Sequence, residues 1–231
     1  MPVRSLTAGA PSGASKIAGM AEPDRQALLT MLTTEHFTLQ GSRATTVSES
    51  SSRAALYMGS VSSTLIALGF LAQVSQLGDA FDVFALVVLP TLFALGVFTF
   101  VRTVESSVED VLYGRAINRI RAYYLEMAGS EARWFVMKGH DDALGVLANM
   151  GLRPSRWQLY FTVSTMVATV NSVIGGSAVA IFAGRVLDLS LGVAVVAGVL
   201  AAAGSFAAFR RWDRILHRRS GGYDEVLFPS P

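Results

Sequence analysis

The chain has 231 residues, 52% of them hydrophobic and only 16% charged, with a mean hydropathy of +0.45. A soluble domain carries about a quarter charged residues, so this chain has too few to clothe a water-facing surface. An ordinary soluble globule, a coiled coil, a collagen and a disordered chain are excluded together. The absence of cysteine removes disulfides, thiolate metal sites and cysteine nucleophiles. The net charge of +2 is a weak pointer to an anionic partner.

Residues 1–23 read as a disordered tail. Met1 to Met20 is rich in Ala, Gly and Ser and lacks the apolar run of about 7–15 residues that a secretory signal needs. Residues 24–53 read as a helical segment. Asp24 is placed to cap a short helix carrying Leu28, Leu29 and Leu32. Thr33 or Thr34 is placed to cap a second, with Glu35 in its first turn and His36, Phe37 and Leu39 along it; the run Gly41 to Arg53 that follows reads either as a helical extension of the first span, which is favoured, or as a Ser/Thr linker. Glu49 and Arg53 stand one helical turn apart in the favourable order for an ion pair.

Four stretches then carry no charge: Ala54–Gly78, Val83–Val101, Trp157–Gly184 and Leu189–Phe209. A helix needs about 20 residues to cross a hydrocarbon core, and all four reach or nearly reach that length. The links Ser75–Asp82 and Arg185–Asp188 are short, so the spans pair as two antiparallel hairpins, residues 54–101 and 157–209. The expected fold is all-α: a polytopic membrane protein with four transmembrane helices in two hairpins, plus cytoplasmic helices.

Residues 102–156 form the polar segment between the hairpins. Val104, Val108, Val111, Leu112, Ile117 and Ile120 recur at near-helical spacing, so the second span continues as a helix beyond the membrane. Gly129-Ser130 marks its break. Asp141 or Asp142 caps a helix through Leu144, Leu147 and Met150 that Gly151 ends. Pro154 and Ser155 open the third span, with Ser155 as its cap. Residues 210–231 are a basic tail, loose or docked through Leu227 and Phe228.

Of the lysines and arginines, only Arg185 lies in a short link; those links also hold Asp79, Asp82 and Asp188. The excess of Lys and Arg on one side places the long polar segments and both termini in the cytoplasm. The expected location is the plasma membrane, and the basic residues become a sign of topology. Arg210, Arg211, Arg214, Arg218 and Arg219 sit where anionic lipid headgroups would meet them. Nucleic acid is not the expected partner.

Helix association in lipid relies on small residues and interhelical hydrogen bonds. The third span carries Ser164, Ala168, Ser172, Gly176, Ala180 and Gly184 at four-residue intervals, a helix-packing stripe suited to another subunit. Shorter series are Ala194, Gly198, Ala202 in the fourth span and Gly59, Ser63, Ala67 in the first. The second span is bulky, with Phe84, Phe93, Phe98 and Phe100, and Pro90 suggests a kink. It reads as the most lipid-exposed span and the third as the most buried. Asn171 lies near mid-membrane, where its amide acts either as a bond between helices or as the lining of a wet path.

No Asp, Glu, Lys, Arg or His lies deep in a span, which argues against proton-coupled transport and voltage sensing. His36, His140 and His217 have no metal-ligand spacing, and no nucleophile, zinc or phosphate-loop motif is present. An enzyme is not expected, nor a metal or cofactor. The leading expectation is a homo-oligomeric pore or channel-like assembly gated by the cytoplasmic helices, with Ser60, Ser63, Thr64, Thr169 and Asn171 as candidate lining. The alternative is a membrane anchor or scaffold that recruits a soluble cytoplasmic protein.

The run Leu32-Thr-Thr-Glu-His-Phe-Thr-Leu-Gln40, followed by Ser48-Glu49 and Arg53-Ala54 at the entry to a span, resembles uncharacterised small four-span membrane proteins of actinobacteria. The layout of polar helix, tight hairpin and following cytoplasmic helix over about Thr33 to Tyr124 is similar to SLATT-type membrane effectors of bacterial conflict systems. That resemblance implies hairpins that oligomerise into a pore. The second hairpin departs from the two-span pattern, and no site residue is carried over.

Overall fold

The structure is a computed structural model that describes residues 21–151, 162–220 and 225–231, without the side chains of 219 and 220. The expected tail over Met1–Met20 and the expected cap Ser155 lie outside the described residues, as does the side chain of Arg219. All regular elements among the described residues are helices: α1 Glu22–Val74, α2 Asp79–Ala128, a short 3-10 turn Gly129–Trp134, α3 Ala143–Asn149, α4 Val163–Arg185 and α5 Leu191–Ser220. Helices α1, α2, α4 and α5 are each long and apolar enough to cross a membrane.

Helix α1 corrects two expectations. It begins at Glu22, so Asp24 lies in its first turn instead of capping it. Its 53 residues run without a break, so neither Thr33 nor Thr34 starts a second helix. The reason lies in the hydroxyls. Thr30, Thr34 and Thr38 each donate to the carbonyl four residues back, at 3.0, 2.9 and 3.0 Å. A threonine that bonds backwards in this way is compatible with a helix interior, whereas a capping threonine bonds forwards. Glu49 and Arg53 do pair along the helix.

Helix α2 passes Pro90 and Gly114 and ends at Ala128, where Gly129 takes the left-handed backbone at φ 52°. The short helix α3 begins at the expected place. Asp142 is its N-cap and accepts from the Gly145 amide at 2.8 Å, and Gly151 follows its end at φ 70°. Helix α4 opens on Thr162, whose hydroxyl accepts from the Thr165 amide.

The chain divides into two compact units. An apolar unit comprises Arg43–Leu112 and Arg153–Glu225, and a polar unit comprises the described parts of Met1–Ser42 and Tyr113–Leu152 together with Val226–Pro231. The core of the apolar unit is built from Tyr57, Leu89, Phe100, Val104, Val167 and Phe209, with partners from all four long helices.

The exposure ranking of the spans differs from expectation. Of the most apolar 18 residues in each helix, 39% are buried in α4, the most buried as expected, 33% in α2 and only 11% in α5. The fourth is therefore the most exposed, not the second. Phe93 and Phe100 of α2 turn inward, whereas Phe98 is 70% exposed. Phe93 lies against Gly175, whose missing Cβ would stand 2.7 Å from its ring, and Phe100 packs on Phe209 with ring centroids 4.6 Å apart. The outer face of α5 carries Val195, Val196, Val199 and Leu200, all exposed.

Candidate functional site

Two places concentrate polar chemistry, one in each unit. The first is in the apolar unit, at the middle of α4. The Asn171 side chain is fully buried. Its oxygen accepts from the Tyr57 hydroxyl of α1 at 3.0 Å, and its NH2 donates to the Phe93 carbonyl of α2 at 3.1 Å. Gly96 makes the clasp possible, because any Cβ there would collide with the Asn171 amide and the Tyr57 hydroxyl. One amide thus joins three helices.

The other candidate lining residues lie on α1 and α4. Ser60 and Thr169 donate their hydroxyls to their own helix carbonyls, Leu56 at 3.0 Å and Thr165 at 2.8 Å. Ser63 and Thr169 are exposed, and Thr64 is half-buried.

The packing stripe of α4 meets a complementary one on α5. A Cβ on Gly176 would stand 2.5 Å from the Gly198 carbonyl and 2.8 Å from the Ala202 methyl. One on Gly198 would stand 2.7 Å from the Gly176 carbonyl and 2.8 Å from the Ala180 methyl, and Gly184 faces Ala194. Ser164, Ala168 and Ser172 are buried on the same helix. The stripe that suggested a second subunit is closed by the chain itself. The row Gly59, Ser63, Ala67 on α1 is different. All three are exposed, and Gly59 has nothing within 4 Å of where a Cβ would stand.

The arginines of α5 also separate. Arg210 is tucked in, donating to the Thr165 hydroxyl at 3.0 Å and to Asp213 at 3.3 Å, so it is engaged inside the unit. Arg211, Arg214 and Arg218 are exposed at helical spacing, beside exposed Trp212 and Ile215. His217 lies between Asp213, at 3.3 Å from its carboxylate, and Ser107 of α2, at 3.3 Å. The hydrogen bond that the ring donates to Asp213 raises its pKa above the ordinary histidine value, against burial and the Arg210 charge. A raised value means that the imidazolium stabilises the fold below about pH 6.5 and that this contribution fades as pH rises through the raised value. His217→Gln is expected to flatten the dependence of the unfolding midpoint on pH across that window, as measured by thermal unfolding in detergent.

The second place is in the polar unit, around Asp141. Arg115, Asn118 and Arg119 share one face of α2 and reach the loop after Trp134. Arg115 donates to the Asp141 carbonyl at 2.8 Å, Asn118 to the His140 carbonyl at 2.8 Å, and Arg119 pairs with the Asp141 carboxylate at 2.8 Å. Asn149 ties the other end of the loop, donating to Asn118 at 2.9 Å and to the Lys138 carbonyl at 2.8 Å. Arg115 and Asn118 are buried, and Asp141 is fully so. Burial pushes the Asp141 pKa up, but the amides of Phe228 and Leu227 and the Arg119 guanidinium outweigh it and hold the carboxyl below the usual range. Charge at this depth is retained because each charged group is bonded. Nearby, burial lowers the His36 pKa, as does the charge of Arg121.

Sequence reasoning did not identify Tyr57, Phe93 and Gly96, or Arg115 and Arg119 as loop holders. A signal existed for Gly96, the one glycine in an otherwise bulky span. None existed for the arginines, because a charged face on a helix leaving a membrane is ordinarily a solvated face.

Four long apolar helices, closed by glycine contacts and one buried amide, define a multi-pass helical membrane protein. No family model, no curated protein and no solved structure matches the chain.

Proposed function

We propose that the chain is a non-enzymatic membrane anchor of the plasma membrane, with two transmembrane hairpins and both termini cytoplasmic, whose polar unit recruits a soluble cytoplasmic protein. The topology rests on the Lys and Arg distribution and on the exposed basic row Arg211, Arg214, Arg218 at the end of α5. The recruitment rests on one observation: the polar unit displays large apolar side chains outward. Val136 is 93% exposed and Trp134 72%, with Phe135, Met137, Leu144 and Met150 also exposed. Trp134 is held in that position, its ring nitrogen donating to Glu131 at 2.7 Å and the Arg133 guanidinium lying 5.2 Å from its centroid. Large apolar side chains exposed together on a polar unit mark an interaction surface. Photo-crosslinking from position 136 in the native membrane tests it. Adducts with one defined soluble protein, lost on Trp134→Asp, support recruitment; adducts with lipid alone overturn it.

A homo-oligomeric pore is the second reading, and one observation favours it. The α1 row Gly59, Ser63, Ala67 is left uncovered, beside Ser60 and Thr64, and close approach of a second copy there would bring hydroxyls together. Gly59→Leu is then expected to reduce the oligomer to a smaller species by native mass spectrometry and to abolish ion flux in liposomes. Unchanged mass and absent flux in both forms remove this reading.

A further inference from the structure

The last residues of the chain are bound to the polar unit almost wholly through their main chain. The Leu227 and Phe228 amides donate to the two oxygens of Asp141 at 3.2 and 2.8 Å, and the Phe228 carbonyl accepts from the Asp141 amide at 3.0 Å. The Ser230 amide and hydroxyl donate to the two oxygens of Asp142 at 3.1 and 2.7 Å. Between them stands Pro229, which has no N–H, and the site makes no use of one there. Among the side chains, Val226 and Leu227 are 41% and 52% exposed and Phe228 is half-buried.

The receiving side is built independently of the tail. Arg119 fixes the Asp141 carboxylate, Arg115 its carbonyl and Asn118 the preceding carbonyl. Asp142 is fixed by capping α3. With the tail in place both carboxyls are held below their usual pKa range, burial being outweighed by the Phe228 and Leu227 amides and Arg119 at Asp141, and by Ser230 and the Gly145 amide at Asp142. The result is an ordered row of acceptors holding an extended segment that has few side-chain anchors of its own. That asymmetry is what an exchangeable peptide and its receptor have in common.

We propose that the Asp141–Asp142 turn is a recognition site for an extended peptide segment that offers amides at positions i, i+1 and i+3, proline at i+2 and a hydroxyl at i+3. The chain's own residues 226–231 occupy it at rest, and a segment of the same pattern from another protein displaces them. The specificity follows from the donors. Proline at i+2 stiffens the segment without removing a bond the site uses, and serine or threonine at i+3 adds a charge-assisted bond that alanine lacks. Tail capture requires nothing of the apolar unit.

The test is amide hydrogen exchange on the full chain in nanodiscs, read at Leu227, Phe228 and Ser230. Those amides are expected to exchange about tenfold or more slowly than in a free peptide of residues 225–231, as bonds to a carboxylate should give. Excess free peptide is expected to restore fast exchange of the tail, and the peptide with Ser230→Ala to do so at higher concentration only. Asp142→Asn in the full chain, which keeps a capping side chain, is expected to speed exchange at Ser230, and Ser230→Ala to speed it at the neighbouring amides without disturbing the receptor. Exchange at the free-peptide rate in the unmodified chain overturns tail capture. Protection that the competing peptide does not move overturns exchangeability and leaves a permanent structural strap.

Discussion

Replacing Gly176 by leucine is expected to destabilise the chain itself, with no need of a second subunit to register the damage. The Cβ alone would stand 2.5 Å from the Gly198 carbonyl and 2.8 Å from the Ala202 methyl. The nearer of these is backbone, so no rotamer change relieves it; α4 and α5 must move apart. Separation costs more than the clash, because the reciprocal contact of Gly198 with the Gly176 carbonyl and Ala180 is lost at the same time. Close contact between small residues is what holds helices together where lipid supplies no hydrophobic drive. Overpacking in cores costs about 1–3 kcal/mol, and this substitution belongs at the upper end of that range. The measurement is the unfolding midpoint in detergent, with subunit number read in parallel. A lower midpoint at unchanged subunit number is the expected result. A smaller assembly with an unchanged midpoint would mean that the stripe faces another chain. Gly59→Leu is the matched control, since a side chain there enters open space within the chain.

The contrast between these two glycines shows how far the sequence could be read. The four spans were legible because an unpaired charge in hydrocarbon is strongly unfavourable, so that a charge-free run of span length marks a membrane helix. The stripe on α4 was legible as a stripe, because four-residue spacing places residues on one face. Which helix would cover it was not, since Ala194, Gly198 and Ala202 are unremarkable in a span rich in alanine and valine. The same limit hid the Tyr57–Asn171 bond, which joins residues 114 apart. An asparagine at mid-membrane must find a partner, but nothing local says which one. Bulk alone misled in α2. Four phenylalanines suggested a lipid face, whereas Phe93 and Phe100 fill the space that small residues of α4 and the ring of Phe209 define. In α1 the ambiguity was chemical: a threonine hydroxyl satisfies either a cap or the carbonyl four residues back. The choice depends on whether the preceding backbone is already helical.

The adjacent pair Asp141 and Asp142 carries the second large expected effect. Either one could cap α3 by position; Asp142 does so, and Asp141 turns inward to complete a buried network. Asp141→Ala removes the carboxylate paired with Arg119 and leaves the Leu227 and Phe228 amides without their acceptor. Deleting one partner of a buried, bonded ion pair costs about 3–5 kcal/mol. Arg119 retains partial access to water at 34% exposure, which places the cost at the lower end. Asp141→Asn is expected to cost less, since one oxygen still accepts, though its NH2 group faces donors. Because the carboxyl is held below its usual value in the folded state, its contribution is complete above the ordinary aspartate value of about 3.9 and fades as pH falls through the lower folded value. The unfolding of the polar unit in wild type is therefore expected to steepen in acid, and that of Asp141→Ala to lose this component. Circular dichroism melts between neutral and acid pH distinguish the two. Equal acid sensitivity in both chains would show that the carboxylate is not what fastens the loop to α2. A neutral-pH loss of under 1 kcal/mol, about the value of an exposed pair, would show that Asp141 is not buried among these donors.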